Sequence, residues 1–112
     1  MKYDEKYYLA KFINEFQQYD GTFQEFITKD KKHVTLYFNG DGKTNKANHY
    51  WETHIAFFEN HFCVGAELDC EKGWSDCIAY SNPKDFKETL QRAINYVGIE
   101  KRKPQYEQLT LF

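Results

Sequence analysis

Cys63, Cys70 and Cys77 recur at intervals of seven, and His49, His54 and His61 lie close to them in sequence. Thiolates and imidazoles are ligands that zinc favours, so metal binding is the first chemistry to weigh. Structural zinc sites usually take their ligands in close pairs such as C-x2-C, and this chain has none. Cys63 should point away from the strand face that carries Val64, and Cys70 should fall in a turn. The thiols are therefore expected to stand apart, with no metal and no other cofactor. An odd number of cysteines, without an export signal, reads as reduced thiols rather than a disulfide framework.

Gly40-Asp41-Gly42-Lys43-Thr44 follows a run with strand character and ends in GKT. A phosphate-binding loop would need a glycine five residues before Gly42, where Tyr37 stands, so a glycine-rich hairpin loop is the better account. Glu52, His54, Glu59, His61, Glu67 and Asp69 offer carboxylates and imidazoles, but no spacing isolates a pair or a nucleophile with its base. A non-enzymatic protein without catalytic residues is expected. Tyr37, Trp51, Trp74 and Tyr80 could stack on single-stranded bases, with Lys29, Lys31, Lys32, Lys43 and Lys46 on phosphates. Fifteen Lys and Arg against 17 Asp and Glu leave a net charge of −2, which lacks the broad attraction that drives nucleic-acid binding. No strong direct nucleic-acid binding is expected, and weak single-strand binding stays as an alternative.

The elements that must position these groups follow from periodicity. Tyr8, Leu9, Phe12, Ile13 and Phe16 make one apolar stripe on a helix over residues 4–18, with Asp4 as its cap. Residues 22–29 and 33–39 read as a hairpin, Val34, Leu36 and Phe38 alternating with polar neighbours. Residues 40–49 are a long polar loop. Tyr50 to Phe58 fits a helical face or a strand. A strand is preferred, because Glu59-Asn60 sits where a tight turn should and Phe62, Val64, Ala66 and Leu68 alternate beyond it. Residues 69–75 read as a polar turn around Gly73, and 76–81 as a short fifth strand. Asn82, Pro83 and Asp85 then open a second helix, which buries Phe86, Leu90, Ala93, Ile94 and Val97 and ends at Gly98.

Together these predict an α+β fold: a single domain with an antiparallel sheet of about five strands, an N-terminal and a C-terminal helix, and an extended tail. Both helices should cover one sheet face. The other, with Tyr37, His54, Phe58, Cys63 and Tyr80, would be a partly exposed aromatic surface for a protein partner, as an interaction or inhibitor domain would use. At 112 residues, 19% of them aromatic, the chain has the size and composition of one folded domain. The opening MKYDEKYYLAKF has no signal-peptide core, and no apolar run approaches the roughly 20 residues of a membrane span, so a cytoplasmic protein is expected. The domain is placed at 1–98, a polar tether at 99–107 and a separate apolar peptide at 108–112.

That peptide is Gln108-Leu109-Thr110-Leu111-Phe112. It resembles the short motif by which bacterial polymerases, mismatch-repair proteins and replication regulators dock on the DNA sliding clamp: glutamine, leucine, a small polar or acidic residue, leucine, phenylalanine. Thr110 stands where serine or aspartate is usual. The resemblance implies that Gln108 hydrogen-bonds at a pocket rim, that Leu109 packs beside it, and that Leu111 and Phe112 fill an apolar subsite. It implies the bacterial sliding clamp as partner and a replication modulator of the kind a phage or other mobile element encodes. A homodimer would present two such peptides to the ring-shaped clamp. The motif covers five residues and carries no information about the domain.

Overall fold

Each helix carries one apolar stripe and each central strand one apolar row, and in the computed structural model these surfaces close on one another. The structure describes residues 5–27, 29, 33–40, 45, 49–69, 71–79 and 86–101. In chain order they form α1 (Glu5–Phe16), β1 (Thr22–Ile27), β2 (Val34–Gly40), β3 (Trp51–Phe57), β4 (His61–Leu68), β5 (Glu71–Ala79) and α2 (Phe86–Val97). The strands make one antiparallel sheet in the order β1-β2-β3-β4-β5. This is the expected α+β domain.

The segment that could be helix or strand is β3. It buries Trp51, Thr53, Ile55 and Phe57 in strict alternation, and β4 answers with Phe62, Val64, Ala66 and Leu68. Ile55 faces Val64 and Phe57 faces Phe62 across the pair, so both rows lie on one face. Onto that face α1 lays Tyr8, Phe12 and Phe16, and α2 lays Phe86, Leu90, Ala93, Ile94 and Val97, in one continuous core. Tyr8 joins the layers: its ring stacks on Phe62 at 4.7 Å and meets Phe86 edge-on at 5.1 Å. Each such ring removed from water contributes about 1.5–3 kcal/mol. Thr53, a polar residue in this core, is satisfied by donating its hydroxyl to the Phe38 carbonyl at 3.2 Å. Gly98 closes α2 with φ 71° while its N–H donates to the Ile94 carbonyl at 2.9 Å, the left-handed closure that glycine adopts at least cost. The helix-opening residues Asp4, Asn82, Pro83 and Asp85 lie outside the described residues.

Two boundaries differ from the sequence expectation. The turn expected over 69–75 does not extend past residue 70, because β5 starts at Glu71. Leu68 pairs with Glu71 but Ala66 pairs with Trp74, so β5 carries one extra residue, a bulge at the polar Lys72-Gly73 step. A Cβ on Gly73 would meet Glu67 Cγ at 2.9 Å, so this glycine allows close approach within a strand instead of marking a turn. Residues 99–101, expected to belong to a polar tether, are held by the domain instead. Ile99 is buried and bridges Asn45, and Lys101 bridges Tyr19. One apolar anchor, too sparse to show a period, holds the chain to the domain as far as Lys101. Residues 102–107, and the peptide Gln108, Leu109, Thr110, Leu111 and Phe112, lie outside the described residues.

Candidate functional site

The helices cover one sheet face, and the side chains of β2, β3 and β4 on the other are half-buried or exposed. Three cross-strand rows organise this open face. Asn39, Glu52 and Glu67 form one, Tyr37, His54, Gly65 and Ser75 the next, and Thr35, Ala56, Cys63 and Cys77 the third. The middle row depends on Gly65. A Cβ there would come within 2.5 Å of His54 Cε1 and Nε2, so the bare backbone gives the imidazole room to lie over β4. Tyr37 flanks that ring at 5.5 Å between centroids, and Phe26 meets Tyr37 edge-on at 5.3 Å.

His54 Nδ1 is 3.3 Å from Glu52 Oε2. The nitrogen is buried and makes no aligned hydrogen bond among the described residues. Burial pushes the Glu52 carboxyl above the ordinary carboxylate range; His54 pulls it part-way back, and the facing Glu67 raises it again. Tyr37 is also raised, by burial first and then by the charges of Glu52 and Glu67. A shallow cleft of about 340 Å³ opens beside these carboxylates, lined by Tyr50, Glu52, Glu67, Asp69 and Gly73 among others. Of the acidic and imidazole groups singled out in the sequence, the fold therefore gathers Glu52, His54, Glu67 and Asp69. It sends Glu59 elsewhere, 3.9 Å from His33 Nε2. His33 itself passed unnoticed in the sequence; its Nδ1 meets Glu5 Oε1 at 2.8 Å and ties the start of β2 to α1.

The third row overturns the expectation of separate reduced thiols. Cys63 and Cys77 face each other across β4 and β5 with Cα atoms 4.2 Å apart and are joined in a disulfide. The spacing is close to the ~4.5 Å of a non-hydrogen-bonded antiparallel pair, which brings facing side chains nearest. His61 lies two residues before Cys63 on the same face. Its ring stacks on Phe58 at 4.8 Å with planes 14° apart. Cys70 lies outside the described residues.

The aromatics considered for base stacking divide sharply. Trp51 is buried in the core, Trp74 packs against it and stacks on Tyr96 at 6.5 Å, and Tyr37 sits beside two glutamates that would repel a phosphate. Tyr80, Lys31, Lys32, Lys43 and Lys46 lie outside the described residues, as does the loop 41–44. A second concavity of about 550 Å³ runs between the helices over Tyr8, Phe86 and Leu90, rimmed by Lys11, Glu15 and Lys87. No helix among the described residues is long and apolar enough to cross a membrane. Comparison with protein-family models, with curated proteins and with solved structures gave no match to this chain.

Proposed function

We propose that this protein docks on the bacterial DNA sliding clamp through Gln108, Leu109, Thr110, Leu111 and Phe112, as a small non-enzymatic modulator of replication of the kind a phage or other mobile element would encode. The observation that carries the proposal is the peptide itself, which meets the docking motif at four of five positions and keeps a hydroxyl at the fifth. The position of the last described residue, Lys101, is compatible with it. The chain is held at the surface as far as Lys101, which is exposed and bridged to Tyr19, and residues 102–107 can reach at most about 20–22 Å beyond that point. The peptide can thus enter a pocket while the domain stands against the clamp.

Burying Leu109, Leu111 and Phe112 contributes about 1.5–3 kcal/mol each, against an association cost of at least about 4 kcal/mol. These three side chains alone therefore leave at most about 5 kcal/mol and bind weakly. Micromolar binding, about −8 kcal/mol, suits a competitor that must come and go and needs further contributions, such as the Gln108 hydrogen bond or the second peptide of a dimer. Calorimetry of the chain against purified clamp tests this: Leu111→Ala with Phe112→Ala should abolish the binding heat and leave the domain folded. Equal binding by both chains would overturn it.

A second function has one observation in its favour. Phe26 and Phe58 remain about half exposed, at 50% and 45%, flanking Tyr37 and His61. An interaction or inhibitor domain would use such an aromatic surface. In that case Phe26→Ser with Phe58→Ser would abolish partner binding, and the tail substitutions would not.

A further inference from the structure

Outside the docking peptide, one cluster brings together groups with a specific shared affinity. His61, Cys63 and Cys77 each offer a ligand atom, and these atoms lie within 4.8 Å of one another on the open sheet face. We propose that the reduced form of this protein binds one zinc ion through the His61 imidazole and the Cys63 and Cys77 thiolates, and that the Cys63–Cys77 disulfide is the metal-free, oxidised state of the same site.

Two thiolates and an imidazole form a borderline-soft donor set, which suits zinc far better than magnesium or calcium. Zn–S bonds of about 2.3 Å and a Zn–N bond of about 2.0–2.1 Å put tetrahedral ligand atoms roughly 3.4–3.8 Å apart. The cluster therefore needs a contraction of about 1 Å at its longest edge and a parting of the two sulfurs. Rotation about side-chain bonds supplies both, since the Cys63–Cys77 register holds the backbones of β4 and β5 in place. The stacking of Phe58 orients the His61 ring. Ala56 faces Cys63 from β3, and Gly65 and Ser75 form the neighbouring pair. With such small neighbours the fourth position stays open to water. Two thiolates cancel the charge of the ion, so the complex adds no net charge to the sheet.

The chemistry balances with a dithiol as reductant. Two electrons and two protons pass to the cystine as its sulfur–sulfur bond breaks, giving two thiols, and the reductant leaves as a disulfide. Zinc then displaces one proton from each thiol to solvent and binds His61 through an unprotonated ring nitrogen. Exchange with an external disulfide, which accepts the two electrons and leaves as two thiols or thiolates, oxidises the Cys63 and Cys77 thiolates to the disulfide, removes two of three ligands and must release the ion. Metal occupancy thus reports the redox state of the surroundings.

The test uses the full chain, untagged, reduced with a phosphine and titrated with Co²⁺ as a spectroscopic stand-in for zinc. One Co²⁺ per chain should bind, with thiolate-to-metal charge-transfer absorption and the strong visible bands of tetrahedral cobalt, and Zn²⁺ should displace it. Cys63→Ser or Cys77→Ser should remove the charge-transfer band, and His61→Ala should weaken binding at least about tenfold. Cys70→Ser should change neither. The air-oxidised chain should bind nothing and regain the band on reduction, which tests the site without any substitution. Failure of the reduced chain to develop the band, its persistence in Cys77→Ser, or its loss in Cys70→Ser would overturn the proposal.

Discussion

Reducing the Cys63–Cys77 bond is the perturbation whose size is best defined by the fold. The two residues are 14 apart in sequence, and a cross-link closing a loop of about 15 residues lowers the entropy of the unfolded chain by the equivalent of about 3 kcal/mol. Neither cysteine belongs to the aromatic core that joins the helices to the sheet, so reduction should weaken the domain without dismantling it. For a domain of about 100 residues, 3 kcal/mol corresponds to a Tm lowered on the order of 10–20 °C. Thermal denaturation followed by circular dichroism, with and without a phosphine, measures the difference directly. Thiol titration of the denatured, unreduced chain should find one reactive cysteine, and three after reduction. Identical melting curves, or three reactive thiols before reduction, would refute the cross-link. Adding zinc to the reduced chain should restore part of the lost Tm through binding to the native state alone.

Other consequences are smaller or more local. Phe62→Ala removes the ring on which Tyr8 stacks and against which Phe57 and Phe86 pack, and should cost about 3–5 kcal/mol in urea denaturation. Gly98→Ala forces a side chain into the left-handed region at φ 71°, costing about 1–2 kcal/mol. Glu52 should make stability depend on pH: its folded carboxyl is raised, so the folded state holds the proton more tightly. Stability is lost as pH rises from the ordinary value of 4.5 through the raised one. Glu52→Gln should therefore melt above the parent chain at neutral pH, and the gap should shrink below pH 4.5, as scanning calorimetry across that window would show.

What could be read in advance followed the repetition of apolar residues. The α1 stripe and the alternation in β2, β3 and β4 recur over several residues, so one physical rule sufficed for each, and the Gly98 closure follows from the left-handed conformation that glycine favours after a helix. Other features set by a single residue escaped. A turn spread over 69–75 would have brought Ser81 opposite Cys63; the start of β5 at Glu71 moves the register to Asp76, and the one-residue bulge near Gly73 moves it on to Cys77. That shift decides between isolated thiols and a cross-strand pair. The gathering of Glu52, Glu67 and His54 had a similar cause. Once the β3–β4 register is known it follows from alternation, but the vacant space over Gly65 that admits the imidazole has no periodic signature. Ile99 shows the same limit, where one buried side chain holds to the domain a segment whose composition reads as polar linker.

The central claim, a clamp-docking peptide carried by this domain, is tested most directly by competition on purified bacterial sliding clamp. A fluorescent peptide covering residues 104–112 is bound first, and the full chain is titrated against it while anisotropy is read. The full chain should displace the probe with a Kd near micromolar, and the Leu111→Ala, Phe112→Ala chain should leave it bound. A probe that never binds, or displacement of equal strength by both chains, would contradict the account.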